Sequence, residues 1–229
     1  MPTVHDELLS MVPGDLHAES GAVFYSGRAA FEAPSSLYLL GINPGGDPVR
    51  QVDETVGAHI DAARRRTTEL WSSYADDSWG GRPPGTAKMQ PRVLHLMRGL
   101  GLDVRRTPAS NVAFVRTSRE ADLVSRKAQL LRACWPVHEA VIERLDIPVV
   151  VCMGAAAGEW VRAMLGADTL VERWSETNAR QWTSWTHAGR RGIQVVTLTH
   201  PSIAAWNTAD ADPTALVASA LARAGRYGI

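Results

Sequence analysis

The chain has 229 residues, 45% hydrophobic and 21% charged, the proportions of a soluble globular protein with one substantial core and little room for a second domain. Its 24 basic and 24 acidic residues cancel, which excludes a global basic field, so any nucleic-acid-binding face has to be local. Cys134 and Cys152 are too few for an iron–sulfur cluster, no His/Cys spacing fits a zinc site and no apolar run approaches a membrane span, so a metal-free, reduced, cytoplasmic monomer is expected.

Along the chain, a short helix is expected around Asp6 to Met11, closed by the Pro13-Gly14 break. Its early acids, Asp6 and Glu7, lie where a signal peptide would need an apolar segment. Ser36 to Leu40 is the first strand, and it ends in the Gly/Pro cluster Gly41-Ile42-Asn43-Pro44-Gly45-Gly46. Residues 47 to 92 form a long segment: a helix from Asp53 to Leu70, then a loop holding Trp71, Tyr74, Trp79 and several Gly and Pro residues. Loops of this length inside a compact domain are usually functional or mobile.

Pro91 to Leu100 has apolar residues at helical spacing, a second strand is expected at Asn111 to Val115, and 119 to 145 reads as a long amphipathic helix interrupted near Pro136. Ile147 to Met153 is a continuous β-branched run of the kind buried between helix layers, and Gly154 hands it over to a helix at Ala155 to Leu165. Trp174, Trp182 and Trp185 precede the fourth strand, Ile193 to Leu198, either as the cross-strand cluster of a β-hairpin or as a binding surface. A helix from Pro213 to Arg223 closes the chain. Four strands separated by helices require right-handed crossovers, so the sequence predicts one α/β domain over 1–229, a three-layer α/β/α sandwich on a four-stranded parallel sheet.

In such sheets ligands bind beyond the carboxyl ends of the strands. Two segments leave strands there: Gly41 to Gly46, carrying Asn43, and His200-Pro201-Ser202. Asn43 can hold a water through its side-chain carbonyl without being a strong base, and the exposed backbone of Pro44, Gly45 and Gly46 can meet a base carbonyl. A correctly placed neutral imidazole at His200 can donate to a developing anion. Ser202 is expected at a helix N-terminus or tight turn suited to phosphate.

The GINPG run with its HPS partner resembles the two active-site motifs of the uracil-DNA glycosylase superfamily, the first in the form of its mismatch-specific branch. The resemblance spans residues 36 to 205, with two short motifs matched and the rest following by order of elements. It implies that Asn43 and His200 are catalytic, that Gly41, Ile42, Pro44, Gly45 and Gly46 shape a pocket for a flipped base, and that Ile203 or Trp206 wedges the duplex. Asn111, in an Asn-Val-x-x-x-Arg context similar to the TNVVKCRP stretch of the thermophilic branch, would read the base edge; capping the strand is its other reading. Trp71, Tyr74 and Trp79 each qualify as the aromatic floor, and Arg116 and Arg119 would meet the DNA backbone.

Where the fast uracil-removing branch carries GQDPY, with Asp activating water and Tyr excluding C5 substituents, this chain has Asn43 and Gly45. The first change implies slow chemistry and the second an ungated pocket, with Gly46 widening it further. The expected activity is cofactor-free hydrolysis of the N-glycosidic bond of uracil or a 5-modified pyrimidine in DNA. No Lys lies in either motif, so strand cleavage through a Schiff base is not expected. The alternatives are a phage-defence glycosylase for a bulky base such as glucosylated hydroxymethylcytosine, a glycosidase of free nucleotides, and a catalytically silent nucleic-acid-binding module.

Overall fold

The computed structural model describes residues 2–123 and 125–225. Its strands are β1 (Tyr38–Gly41), β2 (Ala109–Asn111), β3 (Val149–Met153), β4 (Thr169–Ser175), β5 (Thr183–Ala188) and β6 (Gln194–Leu198). Its helices are α1 (Val4–Ser10), α2 (Val56–Arg65), α3 (Ser73–Asp76), α4 (Gln90–Gly99), α5 (Lys127–Arg144), α6 (Ala155–Leu165) and α7 (Thr214–Ala224).

One six-stranded sheet runs in the order β2-β1-β3-β6-β5-β4. The first four strands are parallel, as the sequence predicts. The expected count of four is corrected to six, because the Trp-rich stretch folds as an antiparallel hairpin, β4–β5, zipped onto β6. Trp174 pairs with Ser184 and Trp185 with Thr197, so these tryptophans stand on cross-strand positions.

Alternating residues feed two cores. Leu39, Val149, Val151 and Met153 point to the face covered by α3, α4 and α7, and Tyr38, Leu40, Val150 and Cys152 to the face covered by α1, α2, α5 and α6. Burial on both faces is why β1 and β3 read as unbroken apolar runs. No helix among the described residues is long and apolar enough to cross a membrane.

Three boundaries differ from expectation. The second strand ends at Asn111 instead of beginning there, since β1 offers partners only through Gly41. Beyond it, Val112 and Ala113 bond the carbonyls of Gly41 and Ile42, and Phe114 bonds Ala22. The helix expected over Asp53 to Leu70 is shorter, its start set by the Thr55 hydroxyl, which accepts from the Ala58 amide. The helix expected over 119 to 145 is a short 3₁₀ turn, Glu120–Leu123, followed by α5; Val124 lies outside the described residues. Helix α5 passes straight through Pro136, whose lost hydrogen bond leaves the Arg132 carbonyl on the exposed side, where water can serve it.

Candidate active site

The register aligns Asn111, Gly41, Met153 and Leu198 across β2, β1, β3 and β6. Asn43 and His200 each lie two residues beyond this row, on strands separated only by β3. Two strand spacings put their exits about 10 Å apart.

The loop after β1 is shaped residue by residue. Gly41 lacks a side chain because the Asn111 amide occupies that space: a Cβ there would lie 2.2 Å from Asn111 Oδ1. Gly46 has φ of +134°, and a Cβ would meet Gln51 Oε1 at 2.2 Å and Arg116 Nη1 at 2.8 Å. Glycine is thus demanded here by the positive φ, and the space a side chain would take is filled by the ends of Gln51 and Arg116, which corrects the expectation that Gly46 widens the pocket. Gly45 faces open space, so the position of the expected gate is free. Pro44 is buried, and its carbonyl accepts from the Thr117 amide.

Arg116 is only 9% exposed and bonds Ser20 Oγ at 3.2 Å, the Gly45 carbonyl at 3.1 Å and Glu54 at 2.9 Å. Its guanidinium is spent inside the fold, so the expected contact with DNA phosphate gives way to anchoring the first loop. Arg119 is exposed.

The Asn43 amide is oriented by its surroundings. Nδ2 donates to the carbonyls of Pro44 (3.1 Å) and Val115 (3.3 Å) and to Thr117 Oγ1 (2.8 Å). Carbonyls cannot donate, so Oδ1 is turned the other way, and among the described residues none donates to it.

His200 is fixed by similar logic. The backbone amide of Ser202 donates to its Nδ1 at 3.1 Å, with Ser202 Oγ at 2.7 Å from the same nitrogen. A backbone amide has no acceptor capacity, so the neutral ring carries its proton on Nε2. Ser202 sits in a tight turn, with Ile203 and Ala204 bonding back to the His200 carbonyl, and not at a helix start. The turn is held from outside: Arg92 donates to the Pro201 carbonyl, and Arg180 donates to the Ile203 carbonyl at 2.8 Å while its guanidinium lies 4.9 Å from the Trp182 ring.

A cleft of about 680 Å³ opens here. Ile42, Gly154, Trp182, Trp185, His200 and Ile203 line it, with Lys127 and Glu159 among its polar groups. Ile203 is 53% exposed at its rim. Trp206 is 1% exposed, with Nε1 donating to the Thr199 carbonyl at 3.0 Å, so it braces the turn from within and is not a wedge.

The three aromatic candidates separate. Trp71 packs under Arg66 beside Ser26 and Gly27, a segment that bonds Thr107 just before β2 begins. That is the amino end of the sheet, the wrong end for a floor. Tyr74 is buried against Tyr25 at 5.8 Å, and Trp79 is half-buried, with ring contacts to both. Tyr25, missed in the sequence because no motif marks it, has its phenol pushed up by burial, with Arg116 and the Asn111 amide drawing it partly back. Asn111 is buried at this junction. Tyr74 and Trp79 thus belong to the Asn111 side of the site, and Trp182 and Trp185 to the His200 side.

No protein-family model matches the chain, and no curated protein matches it in sequence. No group of three or more His, Cys, Asp or Glu among the described residues could hold a metal ion.

Proposed function

We propose that this protein is a monofunctional DNA glycosylase that flips a pyrimidine out of DNA and hydrolyses its N-glycosidic bond. The observation that carries this reading is the complementary pair flanking β3: an amide whose Nδ2 is held by acceptors so that Oδ1 turns away from them, at Asn43, and an imidazole whose proton is fixed on Nε2, at His200. Breaking the C1′–N bond produces an electron-poor sugar and an anionic base. Asn43 Oδ1 accepts a hydrogen bond from the attacking water and aims its lone pair at C1′. The C1′–N bond breaks as the C1′–O bond forms, the water's proton leaves to solvent, and His200 Nε2–H donates a hydrogen bond to the base oxygen as negative charge builds there. With an amide in the water-binding place there is no strong base, so a good leaving group carries much of the rate. Asn111 would read the base edge, Ile203 would fill the gap left in the stack, and the base would be uracil, as in repair, or a 5-modified pyrimidine.

A cleft of about 680 Å³ lined by Trp182 and Trp185 favours a second reading for the substrate, a bulky 5-substituted base such as a glucosylated hydroxymethylcytosine, as in defence against modified phage DNA. The deciding experiment is excision from duplex and single-stranded oligonucleotides carrying uracil, mismatched thymine, hydroxymethyluracil, or hydroxymethylcytosine with and without glucose, read by alkaline cleavage. Release of uracil or thymine supports repair, release of bulky bases alone supports the second reading, and silence across the panel rejects both. Gly45→Tyr adds a ring into open space and is expected to abolish excision of bulky bases while sparing uracil.

A further inference from the structure

Asn43 Nδ2 lies among three oxygens, the carbonyls of Pro44 and Val115 and the hydroxyl of Thr117. The Thr117 hydroxyl has one proton, and it is committed to the Arg119 carbonyl at 2.8 Å. Only its lone pairs remain for Asn43. The chain of hydrogen bonds therefore runs one way, from Asn43 to Thr117 to Arg119, and a carbonyl cannot reverse it. Thr117 is itself pinned, its amide donating to the Pro44 carbonyl at 3.2 Å and its backbone bridging to Gly45.

We propose that Thr117 is the positioning residue that orients the Asn43 amide, and that this cradle of acceptors selects an amide over a carboxylate at position 43. What the oriented amide does rests on the glycosylase reading above; the selection does not. An aspartate there would bring no proton to oxygens that only accept, or whose proton is already committed. It would have to take up a proton or swing out of the cradle. The carboxylate that activates water in the fast branch of the resembling superfamily is thus not transferable to this loop by one substitution, and Thr117 is the reason the loop works with an amide.

The test is the titration of Asn43→Asp, followed by ¹³C NMR of the labelled carboxyl. The expected midpoint lies at least about one unit above the ordinary aspartate value of about 3.9. A midpoint at or below that value overturns the cradle. Thermal unfolding gives the same answer if the variant is fragile: the deficit of Asn43→Asp relative to wild type is expected to shrink on acidification, and a deficit independent of pH overturns the proposal. For positioning, Thr117→Val is expected to lower turnover about tenfold, the rate equivalent of one hydrogen bond, with DNA affinity unchanged, and Thr117→Ser is expected to recover it. Val and Ser behaving alike overturns that role. A wild type that excises no base rejects the glycosylase reading and leaves the titration to decide the cradle.

Discussion

The loop leaving β1 is tied to the interior by Arg116, Thr117 and the close approaches at Gly41 and Gly46, whereas the turn leaving β6 is held from its outer side by Arg92 and Arg180 and keeps Ile203 exposed. The first is a fixed acceptor, the second a donor mounted on a surface element resting on one buried tryptophan. On the proposed glycosylase reading, the inner loop would aim the water and the outer turn would receive the flipped nucleotide.

The largest expected effect falls on the support of the outer turn. Trp206→Ala is expected to cost about 3–5 kcal/mol in urea unfolding, as for a buried aromatic, and a cost near zero would show that the turn needs no such brace. His200→Ala is expected to raise the excision barrier by about 2–4 kcal/mol with unfolding unchanged; an unaltered rate would remove the donor from the mechanism. Arg116→Ala leaves the Gly45 carbonyl without its side-chain donor and the exposed Glu54 with Gln51 alone, and is expected to cost about 1–2 kcal/mol in stability and to reduce turnover as well. Stability lost without turnover would break the link between anchoring and aim.

Acid is expected to loosen the inner half. His138 is fully buried, its Nε2–H donating to the Val112 carbonyl and its Nδ1 accepting from Tyr38, and burial lowers its pKa from 6.5 to about 4. Below pH 6.5 the unfolded chain takes up the proton while the folded one does not, so His138 contributes a loss of about 1.4 kcal/mol per pH unit down to about pH 4, beside like contributions from His5 and His59, which burial also lowers to about 4. His138→Gln should lower the slope by about 1.4 kcal/mol per pH unit and leave the part that belongs to His5 and His59; an unchanged slope would assign the acid sensitivity to those two. The smallest change in stability, within about 0.5 kcal/mol, is expected for Ile203→Ala at its exposed position, accompanied by weaker capture of the extrahelical base. A large loss of stability would place Ile203 in the core.

The parallel part of the sheet was legible in the sequence because its strands, covered on both faces, leave unbroken β-branched runs such as Val149 to Val151. The hairpin was legible only as a stretch of tryptophans, since exposed β4 alternates polar and apolar residues too weakly to declare a strand. Asn43, His200 and Ile203 stood out through their motifs and strand ends. The inward turn of Arg116, the burial of Trp206 and the remoteness of Trp71 depend on contacts with Glu54, Thr199 and Arg66, and nothing in local spacing reports where a side chain turns. Thr117 and Tyr25 carry no motif at all.

Among the described residues the β4–β5 hairpin pairs with the rest of the sheet along β6 alone, yet Trp182, Thr183 and Trp185 form a wall of the cleft. Asn43 belongs to a separate, internally braced loop. On the proposed reading, a lineage could therefore lengthen, shorten or repaint that ribbon and change which bases fit while Asn43 stays untouched, so that breadth of substrate and speed of chemistry would be free to drift on separate pieces of the same chain.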